Sequence, residues 1–186
     1  MTERSDLLVS IVETIADYRE ADLDPPSTEH VDRWIRQFDE DVQVPVLREM
    51  DHVLKQTYFS RSETSRFLER VFKTKKLVGD DPCAFFGGVC FLDIQGGGAS
   101  QQEMLELFNQ LLRNNCGLEL SDCGDDPHAF VYMDDAIFTG NRVRRDLEEW
   151  IANEAPANAN VHVVVIATHE GSYYHRNKVY EAAKAA

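Results

Sequence analysis

Phe130-Val131-Tyr132-Met133-Asp134-Asp135-Ala136-Ile137-Phe138-Thr139-Gly140-Asn141-Arg142 places an apolar run, an acidic pair, a short apolar step and then Thr-Gly in succession. The order predicts a strand that ends in two carboxylates and turns through a glycine into a helix, the position at which open α/β sheets place ligands. Adjacent carboxylates repel each other and are costly to hold together unless a cation or a hydroxyl-rich ligand uses them. Thr139-Gly140 permits a sharp turn, so that backbone amides and a helix start at Asn141 face an anion. Carboxylates for hydroxyls beside amides for phosphate describe a pocket for a phosphorylated sugar. The plainer alternative is a solvent-exposed acidic pair that caps the turn.

The same plan occurs on both sides of this stretch. Before it, Phe85 to Ile94 reads as a strand, Gln95-Gly96-Gly97-Gly98-Ala99-Ser100 as a flexible turn, and Gln101 to Arg113 as a helix with Met104, Leu105, Phe108, Leu111 and Leu112 at helical spacing. After it, the strand Ala129 to Met133 having led through the acidic turn to a helix from Asn141 to Asn153, the run Val161-His162-Val163-Val164-Val165-Ile166-Ala167 has the pattern of a strand buried on both faces. Strands alternating with helices of this length predict parallel pairing through right-handed crossovers. The triple glycine can bring amides close to a phosphate, with Ser100 as the N-cap of the next helix. It lacks the Gly-Lys-Ser/Thr ending of a P-loop and the G-x-G-x-x-G spacing, and taken alone reads equally well as a mobile surface loop. The segment His169-Glu170-Gly171-Ser172-Tyr173-Tyr174-His175 shares the expected ligand-facing rim. There Glu170 or His175 can act on a leaving group and Tyr173 and Tyr174 can stack on a ring, whereas a metal at His169 and His175 needs a third ligand that the sequence does not identify. An ordinary loop is the simpler reading.

From Asp6 to about Leu77 the period is helical instead. Leu7, Leu8, Ile11, Val12, Ile15 and Tyr18 fall on one stripe; Ser27 or Thr28 caps a second helix whose buried face is Val31, Trp34, Ile35 and Phe38. Val46, Leu47, Met50, Val53 and Leu54 predict a third helix with Pro45 in its first turn, and Phe67, Leu68, Val71 and Phe72 a fourth that starts at Ser60 or Ser62. The stripes predict core packing between helices. The period switches after Lys73-Thr74-Lys75-Lys76 and Gly79-Asp80-Asp81-Pro82, which divides the chain into a helical section, residues 1–78, and an α/β section, residues 79–186.

Composition bounds the partners. The chain has 186 residues, 43% of them hydrophobic, enough for one domain or one domain with a helical appendage. With 33 acidic and 19 basic residues its formal charge is -14, which disfavours a sequence-independent grip on phosphate backbones. No signal-peptide pattern opens the sequence and no apolar run approaches the ~18 residues of a membrane span, so a cytoplasmic protein that does not use a membrane is expected. Cys83, Cys90, Cys116 and Cys123 are too widely spaced for a C-x-x-C metal knuckle and too sparse for a disulfide scaffold, which predicts buried reduced thiols.

The acidic turn resembles the signature of type I phosphoribosyltransferases, in which a hydrophobic strand, two acidic residues, a few apolar or small residues and Thr-Gly-Gly-Thr hold phosphoribosyl pyrophosphate. The resemblance implies that Asp134 and Asp135 take the ribose hydroxyls and an accompanying Mg2+, Thr139, Gly140 and Asn141 the 5'-phosphate, and Gly97, Gly98, Ala99, Ser100 and Gln101 the pyrophosphate. Phe138, Asn141 and Arg142 depart from the small, Gly and Thr residues of that pattern. A narrower likeness rests on Trp34-Ile35-Arg36-Gln37-Phe38, the loop before Gln101, the Asp-Asp-x-x-x-x-Gly-Asn step and Ile166-Ala167-Thr168-His169-Glu170-Gly171. These look like the phosphoribosyltransferase-like proteins of bacterial conflict systems, some of them retron-associated. That likeness implies a role in anti-phage defence, a retron reverse transcriptase with its RNA/DNA complex as partner, and self-association. Members of that group carry further strands, so the sheet is expected to be incomplete towards Ala186.

The expected architecture is therefore α/β: a helical N-terminal section, then a phosphoribosyltransferase-like, mainly parallel sheet flanked by helices. Its expected ligand is phosphoribosyl pyrophosphate or a nucleotide with the same sugar phosphate, and its expected chemistry, if it turns over, is transfer or cleavage at the anomeric carbon. No catalytic base is identified. Two alternatives belong to other classes. Tyr132-Met133-Asp134-Asp135 also resembles the metal-binding tetrad of reverse transcriptases, with Asp93 as the further carboxylate, although two-metal catalysis needs all three to converge on ions about 4 Å apart. The other is a non-catalytic module that senses a nucleotide or holds a partner.

Overall fold

The computed structural model of the chain describes residues 2–18, 23–97, 99–169, 177, 180 and 181. Two compact units divide it, Met1–Thr64 and Ser65–Ala186.

The first unit is helical. Thr2 and Ser5 cap α1 (Glu3–Thr14) reciprocally, and Ser27 accepts from the His30 amide at 3.2 Å to start α2 (Thr28–Ile35). Helix α3 (Glu40–Thr57) packs with them around Leu8, Ile11, Val31, Ile35 and Leu47. Because α3 begins at Glu40 rather than near Pro45, the proline lies beyond the first turn, inside the helix. Trp34 and Phe38, expected in the buried face of α2, are about one-third exposed and meet each other edge-on with ring centroids 5.6 Å apart. At the end of this unit Asp17 accepts from the Tyr58 hydroxyl and the Arg61 amide, both at 2.6 Å.

Helix α4 (Arg61–Phe72) contributes Leu68 and Phe72 to the core of the second unit, followed by the short helices α5 (Lys75–Val78) and α6 (Pro82–Gly87). Phe85 and Phe86 are helical in α6, not the start of a strand. Asp81 accepts from the Ala84 amide at 3.0 Å and Pro82 occupies the first turn, a local start signal that outweighs the apolar run. The strands are β1 (Val89–Leu92), β2 (Ala129–Ile137) and β3 (Val161–Thr168), joined by helices α7 (Ser100–Cys116) and α8 (Asn141–Asn153). They form one sheet in the order β1-β2-β3, parallel throughout, with Val89 opposite Ala129 and Phe130 opposite Val161. The helical front followed by a parallel α/β sheet is the predicted architecture.

Strand β2 alternates its side chains between two cores. Ala129, Val131 and Met133 join Phe86, Phe108 and Leu112, while Phe130 and Tyr132 join Val143, Leu147 and Trp150 of α8. Helices thus cover both faces, which lets a strand with six consecutive buried residues, Ala129 to Asp134, sit at the centre of the sheet. Among the described residues no helix is long and apolar enough to cross a membrane.

Cys83 and Cys116 form a disulfide, so the expectation of four reduced thiols is corrected. The pair joins the start of α6 to the last turn of α7, a proximity created by packing that cysteine spacing does not reveal. Cys90 and Cys123 remain free. Closing a loop across a sequence separation of 33 restricts the unfolded chain. Cys83→Ser is therefore expected to lower stability by about 3 kcal/mol, measured by urea denaturation of oxidised protein.

Candidate functional site

Strand β2 outruns β1. Leu92 is the last β1 residue in register, opposite Tyr132, whereas β3 follows β2 to Ile137, opposite Thr168. The acidic pair therefore lies within the strand, not after its end as predicted, with β3 on one side and the loop after β1 on the other. Alternation along the strand separates the two carboxylates: Asp134 is 3% exposed, while Asp135 lies open to solvent.

Burial of Asp134 is tolerable because its oxygens are well supplied with donors. Oδ1 accepts from the Ser100 hydroxyl at 2.8 Å and the Asp135 amide at 2.9 Å, and Oδ2 from the Gln95 side chain at 3.3 Å. Ser100 is thus not the N-cap of α7; Ala99 holds that position without a side-chain bond, and Ser100, the first helical residue, turns its hydroxyl to the acid. Asp135 accepts from the Ala136 amide at 2.6 Å. Desolvation nevertheless pushes its carboxyl above the ordinary value, and the Asp134 charge adds to the rise.

Gln101 is fully buried and joins the loop to β2. Its Oε1 accepts from the amides of Ile94 and Gln95, both at 2.9 Å, and its Nε2 donates to the Met133 carbonyl at 3.2 Å. The resemblance places Gln101 at a pyrophosphate; in the structure its side chain ties the loop after β1 to the central strand. A Cβ added at Gly96 or Gly97 would meet nothing within 4 Å, so room is left for a group to approach the backbone there. Gly98 lies outside the described residues.

At the other wall, Gly140 takes a left-handed conformation, φ 73°, and starts α8. The Thr139 hydroxyl accepts from the Asn141 amide at 3.3 Å, and the Asn141 side chain accepts from Arg144 at 3.0 Å. The first turn of α8 holds no acidic residue, and Arg142, Arg144 and Arg145 all fall near its start. Arginines there oppose the helix dipole and concentrate positive potential in a strongly acidic chain. Arg144 pairs with Glu148 at 3.1 Å, while Arg142 reaches across and donates to the Gly97 carbonyl, tying the two loops together.

Between these walls lies a cavity of about 350 Å3, bordered by Gln95, Ser100, Asp134, Asp135, Thr139 and Gly140. A larger one of about 760 Å3 adjoins it along α8 and includes Asp93, Gly96, Gly97 and Asp146; Thr139 and Arg142 border both. Asp146 accepts from the buried Tyr132 hydroxyl at 3.0 Å. Burial raises both groups above their ordinary values. Among the described residues no group of three or more His, Cys, Asp or Glu side chains is placed to hold a metal, so Asp93, Asp134 and Asp135 do not form the three-carboxylate centre of the polymerase alternative.

The structure thus brings Gly97, Ser100, Gln101, Asp134, Asp135, Thr139, Gly140 and Asn141 into one region at the carboxyl end of the sheet. Sequence reading missed Gln95 as a partner of Asp134 and Arg142 as a bridge; the one available signal was an arginine-bearing helix start lacking acids. His169 donates its amide to the Ile137 carbonyl at 2.8 Å, which brings the end of β3 alongside the turn. Glu170, Tyr173, Tyr174 and His175 lie outside the described residues.

The parallel sheet with an acidic pair on its central strand, a glycine loop on one side and a glycine-started helix on the other lies within the stretch matched by a family model of the phosphoribosyltransferase type. A family model described as PRTase-CE matches residues 31–185, and the chain belongs to that family. The match begins within α2, so α3 and α4 fall inside it as well as the sheet. No curated protein and no solved structure matches the chain.

Proposed function

We propose that the chain binds phosphoribosyl pyrophosphate, or a nucleotide with the same sugar phosphate, between the glycine loop and the start of α8. The observation that carries the reading is the division of labour in the acidic pair. Asp134 is buried and braced by Ser100 and Gln95, and Asp135 is left open beside it at the cavity. A braced carboxylate next to an accessible one suits two neighbouring ribose hydroxyls. Gly140, the α8 amides and the arginines near them suit a phosphate, and the open backbone of Gly96 and Gly97 suits a diphosphate.

Mg2+ fits the donors as a cation carried by the ligand. The available groups are oxygens, as Mg2+ prefers, but of the described carboxylates that border the smaller cavity Asp134 is buried and Asp135 alone is exposed, too few for an all-protein cage. Bound with the diphosphate, Mg2+ would supply charge neutralisation as that group departs. The chain's own contribution is to orient the ribose through the acidic pair and to fix the phosphate through the turn. Place in a bacterial defence system beside a retron reverse transcriptase is the biological extension of this proposal and rests on sequence resemblance.

Titration calorimetry of the wild-type chain with phosphoribosyl pyrophosphate, with and without Mg2+, tests the reading. Saturable heat that strengthens with Mg2+ is expected; absence of heat under both conditions would sink it.

A further inference from the structure

Phe138 is the most exposed large hydrophobic side chain among the described residues, at 69%, yet it stands within the site. It follows Ile137, which is buried, and precedes Thr139 and the left-handed Gly140. Its neighbours are pinned: the Ile137 carbonyl accepts from the His169 amide at 2.8 Å, and the Thr139 hydroxyl accepts from the Asn141 amide at 3.3 Å. A ring held out from so constrained a turn keeps its apolar faces in water, at a cost that burial against another apolar group removes. It borders the same cavity as Asp134, Asp135 and Thr139. Phe138 follows Asp135 by three residues, so their Cα atoms are separated by at most ~11 Å, about the length of one nucleoside.

We infer that Phe138 is a stacking platform for the planar base of a nucleotide whose ribose meets the acidic pair, making it a specificity residue of this site. The inference rests on the sugar-phosphate reading above and adds to it a preference for ligands that carry a ring. An aromatic face accepts any base, since every base has a π-face, so the preference is for a base over none, with little choice among bases. The carboxylates and the turn hold the sugar phosphate irrespective of the ring, and the two contributions can be separated by experiment.

The test compares calorimetric affinities of ribose 5-phosphate, adenosine 5'-monophosphate and uridine 5'-monophosphate for the wild type, Phe138→Ala and Phe138→Trp. Wild-type protein is expected to bind both nucleotides about tenfold more tightly than ribose 5-phosphate, the effect of one base–aromatic stack. Phe138→Ala removes that advantage and leaves ribose 5-phosphate unchanged, whereas Phe138→Trp keeps it. Equal wild-type affinity for all three ligands, or equal weakening of all three in Phe138→Ala, overturns the stacking role while leaving the sugar-phosphate site standing. Failure of wild-type protein to bind any of them, or phosphoribosyl pyrophosphate, overturns both readings.

Discussion

Asp134→Asn combined with Asp135→Asn is expected to weaken binding of phosphoribosyl pyrophosphate about a thousandfold, roughly 4 kcal/mol, by removing two charge-assisted contacts to the ribose. Calorimetry of the variant beside wild type reads this directly, and an affinity within threefold of wild type would remove the acidic pair from the site. The two substitutions differ in their effect on the fold. Asp134 braces the loop through Ser100 and Gln95, so its replacement perturbs structure as well as binding. Asp135 has a raised carboxyl, caused first by desolvation and then by the Asp134 charge. A carboxyl whose folded value lies above its unfolded one favours the folded state at low pH, and that contribution is lost as pH rises through the folded value. At neutral pH the ionised Asp135 therefore weighs against folding. Asp135→Asn alone should hold or raise the thermal midpoint while losing ligand, the behaviour of a residue kept for binding rather than stability.

Gln101→Met is expected to destabilise the protein by about 4 kcal/mol in urea denaturation, although the substitution keeps most of the side-chain volume. The amides of Ile94 and Gln95, half-buried, and the buried carbonyl of Met133 all lose their partner at once. A loss below about 1 kcal/mol would mean that the loop finds other partners. Ligand affinity should fall as well, because the loop that carries Gly96 and Gly97 is anchored through these bonds.

The parallel sheet was legible because its signals are local. Val161 to Ala167 announces a strand, and the helices after Gln95 and Gly140 announce themselves by spacing. The expected burial of that strand on both faces is corrected: β3 lies at the outside of the described sheet and is only half-buried, and β2 is the doubly covered strand. Phe85 and Phe86 misled because an apolar pair suits a helix or a strand equally, and the decisive cap at Asp81 lies outside the run. The acidic pair was found, but its geometry depends on unequal lengths of β1 and β3, a property of pairing rather than of any one segment. Ser100 looked like a helix cap for the same reason: only the fold brings Asp134 within 2.8 Å of its hydroxyl. The Cys83 to Cys116 bond, too, depends on how α6 and α7 pack.

The pairing of Val89 with Ala129 and of Phe130 with Val161 has a kinetic consequence. Neither ladder can close until the chain between its strands has folded back, so loop entropy is lost before any strand contact compensates for it. Asp134 needs the first turn of α7 on one side and β3 on the other, and no isolated hairpin or helix pair contains both. Half-assembled chains consequently lack the pocket. A ligand that recognises it draws the population towards the finished sheet by mass action alone.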